Sequence, residues 1–205
     1  MSNTIDTDEK RVSYGIGRQM GDQLLASNIP DLDLELVAAG LKDAFGQQAS
    51  QVPEADLQAA FQVLQGKMQA AAEAAAKEAA QAGVDFLAEN AKREGVVTLP
   101  SGLQYEVVTA GTGATPEASS TVQTHYEGTL ISGEVFDSSY KRGQPAEFPV
   151  GGVIAGWTEA LQLMQEGAKW RLFIPSELAY GARGAGNSIP PHSALVFDIE
   201  LLKVL

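Results

Sequence analysis

At 205 residues the chain can hold one large domain or two small ones, and a hydrophobic fraction of 44% is enough to bury a core. Acidic residues outnumber basic ones 26 to 14, with the excess on both sides of Gly95, which argues against nucleic acid as a partner because phosphate recognition needs the opposite sign. There is no cysteine, so disulfides, thiolate nucleophiles and thiolate metal sites are excluded.

The chain opens on a polar, acidic stretch, Met1 to Arg11, without the basic-then-apolar pattern of a secretory signal. No apolar run approaches the roughly 20 residues that span a bilayer, so no membrane partner is expected. The expected location is the cytoplasm, or the periplasm if a signal has been removed. Ser13 to Leu25 and Leu34 to Phe45 then read as two amphipathic helices, separated by a turn at Asn28-Ile29-Pro30-Asp31.

Residues 54–94 contain no proline, and alanine fills 14 of these 41 positions, a composition that lowers the cost of helix. One long helix is predicted, with Pro53 at its first position and Gly95 at its exit, reaching roughly 60 Å. Leu57, Phe61, Leu64 and Met68 recur at steps of four and three and form a stripe that must meet another apolar surface. From Ala70 to Ala82 the large side chains are Glu73, Lys77, Glu78 and Gln81, so this section reads as a solvated spacer supported by the Glu73/Lys77 spacing. The two shorter helices bury little, and a domain of about 50 residues is marginal alone; pairing with a second copy would cover the stripe. The alternative is that the three helices fold on one another within one chain.

After Gly95 the texture becomes short alternating segments broken by glycine and proline, the pattern of an antiparallel sheet. The domains are therefore read as residues 1–95 and 96–205. Expected strands are Leu103 to Thr109, Thr121 to Leu130, Pro145 to Val150, Ala168 to Pro175 and Ala194 to Val204, with a short helix at Trp157 to Met164. In the last strand Leu195, Phe197, Ile199 and Leu201 share a buried face. The fold class is α+β: an N-terminal all-α domain with one long helix, then a twisted antiparallel sheet wrapped around a short helix.

Conventional catalytic constellations fail. His125 and His192 are the only histidines, too few for a typical zinc site without cysteine, so no metal is expected. Asp137, Ser138 and Ser139 are adjacent in sequence, which is not how a triad is assembled, and no glycine elbow surrounds either serine. The Gly15-Ile16-Gly17 and Gly181-to-Gly186 runs lack the strand, lysine or hydroxyl context of a nucleotide site, and no cofactor is expected. What remains is a set of large apolar residues recurring between turns: Tyr126, Phe136, Phe148, Val153, Ile154, Trp157, Tyr180, Ile189 and Phe197.

Their setting carries a resemblance. His125-Tyr126-Glu127-Gly128, Val135-Phe136-Asp137-Ser138-Ser139, Val153-Ile154-Ala155-Gly156-Trp157, Ala179-Tyr180-Gly181 and the closing run from Ile189-Pro190-Pro191-His192 to Leu201 resemble the FKBP-type peptidyl-prolyl isomerases in order and spacing, over residues 102–205. Ser13-Tyr14-Gly15-Ile16-Gly17 and the long third helix resemble the helical arm of the bacterial dimeric members of that family, the macrophage infectivity potentiator group. The resemblance implies a homodimer whose arms hold two catalytic domains apart as a V, acting on proline-containing peptides and unfolded protein clients. Macrolides of the tacrolimus and rapamycin type are implied as inhibitors.

It also implies a prolyl pocket with Trp157 as floor and Tyr126, Phe136, Phe148, Val153, Ile154, Tyr180 and Phe197 as walls, Ile189 being counted with the binding residues. By the same resemblance the Ile154 backbone N–H and the Tyr180 hydroxyl donate to substrate carbonyls. Asp137, the principal charged group, acts beside Tyr126, either orienting Tyr126 or Arg142 or acting on the twisted carbonyl. The chemistry fits: isomerising an X-Pro bond breaks no covalent bond and faces an amide-resonance barrier of roughly 18 to 20 kcal/mol, so no acid, base or metal is needed. Two departures stand out. Ala146 occupies a position where single-domain members carry a large aromatic, and the Phe148-to-Val153 link is shorter; with Ala185-Gly186-Asn187-Ser188 these predict a more open rim. Two other readings use the same residues: a non-catalytic chaperone or adaptor that binds proline segments, and an arm that docks a cytosolic partner through its stripe.

Overall fold

The computed structural model describes residues 4–27, 29–186 and 188–205; Asn28 of the expected first turn and Asn187 of the small-residue loop lie outside them. The chain divides into two compact units, Met1–Ala70 and Ala71–Leu205.

In the first unit, α1 (Asp8–Ala26) starts from Thr7, whose hydroxyl accepts the Lys10 N–H. It therefore begins five residues before the apolar pattern does, because a capping side chain and the acidic pair Asp8 and Glu9 stabilise a polar first turn. Next comes α2 (Leu34–Phe45), capped by the Asp33 carboxylate, which accepts from the Glu35 and Leu36 N–H groups, and it matches the sequence expectation residue for residue. Neither helix contains a buried residue. The third helix, α3 (Glu54–Asn90), is 37 residues long and continues into the second unit. In the first unit its Phe61 is 66% exposed, and Phe45 at the end of α2 is 93% exposed.

The second unit contains β1 (Val96–Thr98), β2 (Gln104–Thr109), β3 (Thr121–Leu130), β4 (Val135–Ser138), the one-turn helix α4 (Ser139–Arg142), β5 (Ala146–Pro149), α5 (Ala155–Leu161), β6 (Lys169–Ile174) and β7 (Leu195–Val204). The sheet is antiparallel throughout, in the order β1-β2-β6-β7-β3-β4, with β5 on the same edge of β3 as β4. Alternation places Leu195, Phe197, Ile199 and Leu201 inward from β7, and they meet Val122 and Tyr126 of β3, Leu172 and Ile174 of β6, and Trp157, Ala160 and Leu161 of α5 in one core.

The last turns of α3 belong to this unit. Asn90 donates to the Gln104 carboxamide oxygen at 2.8 Å, and the Gln104 amide donates to the Leu87 carbonyl at 2.9 Å, so one β2 side chain bonds both the last residue of the helix and a carbonyl of its last turn. Phe86 packs on Phe173 at 6.0 Å, and Arg93 lies over the same ring. Gly83 approaches Ala194 so closely that a Cβ there would stand 3.1 Å from the Ala194 methyl. The alanine-rich section is thus only partly solvated: Ala76, Ala79, Ala80 and Ala82 are half-buried. Small residues read as solvated because they carry little apolar area, yet their size is what lets a helix approach a loop closely.

Candidate active site

A cavity of about 470 Å³ is lined by Tyr126, Phe136, Asp137, Phe148, Gly152, Val153, Ile154, Trp157, Tyr180 and Phe197. Each strand around it contributes, β4 with two adjacent residues beside a register shift in its pairing with β3. Tyr126 comes from β3, Phe136 and Asp137 from β4, Phe148 from β5 and Phe197 from β7, while a 3-10 turn at Val150–Gly152 leads into Val153, Ile154 and the start of α5. Trp157, 4% exposed, meets the edges of Tyr126, Phe148 and Phe197 at centroid distances of 5.2, 5.7 and 5.3 Å, all near perpendicular. These near-perpendicular contacts hold the indole from three sides where it lines the cavity. Its buried N–H has no acceptor among the described residues, a cost accepted at this position alone among the aromatic rings of the wall.

Gly128 of β3 makes the wall possible. A Cβ there would lie 2.6 Å from both the Phe136 and Phe197 rings, so these can meet edge to face at 5.5 Å only over a glycine. The motif His125-to-Gly128 contains this residue, but its role needed the packed structure.

The polar side of the cavity is a closed triangle. Tyr126 donates its hydroxyl hydrogen to Asp137 Oδ2 at 2.6 Å; Arg142, from α4, donates to Asp137 Oδ1 and to the Tyr126 oxygen, the latter at 2.7 Å, and its guanidinium lies 5.4 Å from the Tyr126 ring centre. Burial alone would raise the Asp137 carboxyl, but the hydrogen bonds from Tyr126 and Arg142 outweigh it and hold the group below the usual carboxylate range. Burial, then the bond to Asp137, pushes the Tyr126 phenol up. The Tyr126 hydroxyl is therefore already engaged.

Two donors are not. Tyr180, 39% exposed, makes no hydrogen bond through its hydroxyl among the described residues, and burial followed by the charge of Asp137 raises its pKa, keeping it a neutral donor. The Ile154 N–H stands at the N-terminal end of α5, before the first helical bonds, without a backbone acceptor among the described residues.

Nine of the ten sequence-derived site residues line the cavity together. Ile189 does not: it is 6% exposed, joins the core, and is fixed behind the loop by reciprocal backbone bonds with Ala185 at 2.9 and 3.1 Å. Gly152 lines the cavity instead, brought there by the short link after Phe148. Ala146 packs against the core from the edge of the sheet and is absent from the wall. His125 bonds Ser139 and stacks on Tyr140, and His192 sits in a left-handed conformation, φ 59°, with its N–H on the Gly181 carbonyl, so both histidines have structural contacts away from the cavity.

Comparison with known proteins bears on this geometry. Residues 112–202 match the family described as FKBP-type peptidyl-prolyl cis-trans isomerase, and residues 9–107 match the domain amino terminal to FKBP-type peptidyl-prolyl isomerase. The chain is 50% identical to the FKBP-type 22 kDa peptidyl-prolyl cis-trans isomerase of Escherichia coli strain K12 over 98% of both chains. It is 43% identical to the outer membrane protein MIP of Legionella longbeachae over 99% of this chain and 88% of that one. The crystal structure of FkpA from Escherichia coli superimposes with a TM-score of 0.72 at 39% identity, covering 98% of each chain. With family matches in both halves and these identities along the whole length, the chain belongs to the FKBP-type peptidyl-prolyl cis-trans isomerases.

Proposed function

We propose that the cavity takes a prolyl ring on the face of Trp157 and accelerates X-Pro isomerisation in peptides and folding chains. The observation that carries this is the pairing of a rigid apolar floor with two unspent donors at its rim, the Tyr180 hydroxyl and the Ile154 N–H. Twisting the amide removes its resonance and leaves a ketone-like carbonyl out of plane with its neighbours. A site that holds the twisted form better than the planar one lowers the barrier, tenfold for about 1.4 kcal/mol. Ile154 and Tyr180 hold the flanking carbonyls, Tyr126 and Phe148 bound the ring, and Asp137 supplies a fixed negative charge whose orientation Arg142 and Tyr126 maintain. At about 470 Å³ the cavity has the size of sites that hold drug-sized ligands, which supports macrolide binding at the same place.

The N-terminal unit is proposed to pair with a second copy. Its support is the uncovered apolar face: Tyr14, Leu24, Leu25, Ile29, Leu32 and Leu34 line an open groove of about 940 Å³ between α1 and α2, and no residue of either helix is buried. Two isomerase units on one dimer would raise the local concentration of sites near a bound client, the basis of the proposed chaperone behaviour. A chain without cysteine folds alike in reducing and oxidising surroundings, so cytoplasm and periplasm both suit this activity.

The deciding measurement is proline-limited isomerisation of a short Leu-Pro peptide by the intact chain, with and without rapamycin. Spontaneous exchange takes tens of seconds, so acceleration is easily read. Tyr180→Phe is expected to lower kcat/KM about tenfold, the worth of one hydrogen bond, and Asp137→Ala at least as much. Drug binding without acceleration would replace catalysis by the adaptor reading.

A further inference from the structure

The edge of β3 has a gap in its ladder. On the side carrying β4 and β5, β4 pairs with Glu127 to Thr129 and β5 with Thr121 to Thr124, which leaves the backbone of Tyr126 between them. The one-turn helix α4 fills that gap. Ser139, fully buried, stands in for a strand: its hydroxyl accepts the Tyr126 N–H at 2.8 Å and lies 3.2 Å from the Tyr126 carbonyl and 2.9 Å from His125 Nδ1. Three residues later the same turn delivers Arg142 to the cavity, onto Asp137 and the Tyr126 hydroxyl.

A single helical turn does not hold its own shape, because nucleation is unfavourable without tertiary contacts. Ser138 caps the start of α4, accepting the Lys141 N–H at 3.3 Å, and Gly143, at φ 73°, ends it. The contact at its centre is Tyr140, which turns away from the cavity onto the outer face of the sheet. Its ring stacks on His125 at 4.7 Å with 15° between planes, its hydroxyl donates to Glu200 Oε2 at 3.1 Å, and Lys169 Nζ lies 5.5 Å from the ring centre. His125, Glu200 and Lys169 form one row across β3, β7 and β6, since His125 and Lys169 both pair in register with Glu200. Tyr140 therefore clasps α4 to three strands at once.

We propose that Tyr140 is a positioning residue: by fastening α4 to the outer face of the sheet, it fixes Arg142 on Asp137 and Tyr126 on the inner side. The proposal rests on the cavity being the isomerase site only for its catalytic consequence; the positioning itself is a statement about Asp137 and Arg142. The groups that face Asp137 are Tyr126 from β3, Arg142 from α4, the Ser138 N–H and, across the cavity, Tyr180. Those around Tyr140 are Glu200, Asp198 and Glu127 besides His125 and Lys169; burial first, then Glu200, pushes its phenol up to about 12, so it remains a donor throughout the neutral range.

The test follows the Asp137 carboxyl carbon by NMR titration in the full-length chain, beside kcat/KM on the Leu-Pro peptide. Tyr140→Leu, which keeps bulk but loses the stack and the hydroxyl, is expected to move the Asp137 midpoint upward toward the ordinary carboxylate range and to lower kcat/KM about fivefold, in line with one lost aromatic pair. Tyr140→Phe, which keeps the stack, is expected to restore most of both. An unchanged Asp137 midpoint in both variants overturns the proposal, whatever happens to melting temperature, because a purely structural Tyr140 would lower stability without touching that titration. A shifted midpoint with unchanged kcat/KM would uphold the positioning and remove Asp137 from the catalytic account instead.

Discussion

The two units use the same kind of pattern and differ in what completes it. In the isomerase unit every inward face has its cover within the unit, so that Leu103, Leu172, Ile174, Leu195 and Ile199 are wholly inaccessible. In the helical unit the apolar stripes of α1, α2 and the first half of α3 are as regular, yet Leu25 is 80% exposed and Phe45 93%. Periodicity reports that a face is meant to be buried; it does not report against what. The isomerase unit finishes its own core, whereas the helical unit leaves apolar faces exposed, which is the observation behind the proposed dimer.

Substitutions of equal chemistry in the two units should therefore behave differently. Leu172→Ala is expected to cost about 2 to 5 kcal/mol of stability at any protein concentration, the range for a truncated core leucine. Phe61→Ala should cost within about 0.5 kcal/mol in a single chain and act instead on association, read as a shift toward monomer in sedimentation. If Phe61→Ala destabilises as strongly as Leu172→Ala and independently of concentration, the stripe is covered within the chain and the comparison fails. A smaller effect sharpens the boundary between the units. Gln104→Ala removes both bonds that fasten the last turn of α3 to β2, and about 1 to 3 kcal/mol should be lost from unsatisfied buried groups. Amide exchange should then rise at residues 86–91 while β6 and β7 keep their protection.

Periodicity locates an element where it has room to repeat. β3 at Thr121–Leu130 and α2 at Leu34–Phe45 match their expected bounds, because ten alternating or twelve amphipathic residues define a face unambiguously. β1 and β4, of three and four residues, have no counterpart among the predicted strands: so short a strand carries no period and exists only because β2 and β3 supply the partner. α4 is hidden for the same reason, being held by Ser139 and Tyr140 rather than by propensity. α3 ends at Asn90, four residues short of the predicted 94, since the turn after Asn90 is closed by Gln104, a contact fourteen residues away in sequence. At the cavity, the resemblance supplied the residues and the structure supplied their states. Tyr126 and Tyr180 look alike in sequence, yet one hydroxyl is engaged by Asp137 and Arg142 and the other is unspent.

That last difference sets the expected pH profile, the smallest of the effects. Asp137 has its carboxyl held below its ordinary value of 3.8, so what its charge contributes is fully present above that value and is lost only as pH falls through the lower folded midpoint. Tyr126 and Tyr180 lie above the ordinary phenol value of 10.0, so both stay protonated through the neutral and mildly alkaline range. No group lining the cavity changes charge in between, and kcat/KM should be flat from about pH 5 to about pH 9, within which histidine is the side chain that ordinarily titrates. An inflection inside that range would show that a group beyond the cavity wall acts on the site's electrostatics, against the account in which Asp137, Tyr126 and Tyr180 alone set it.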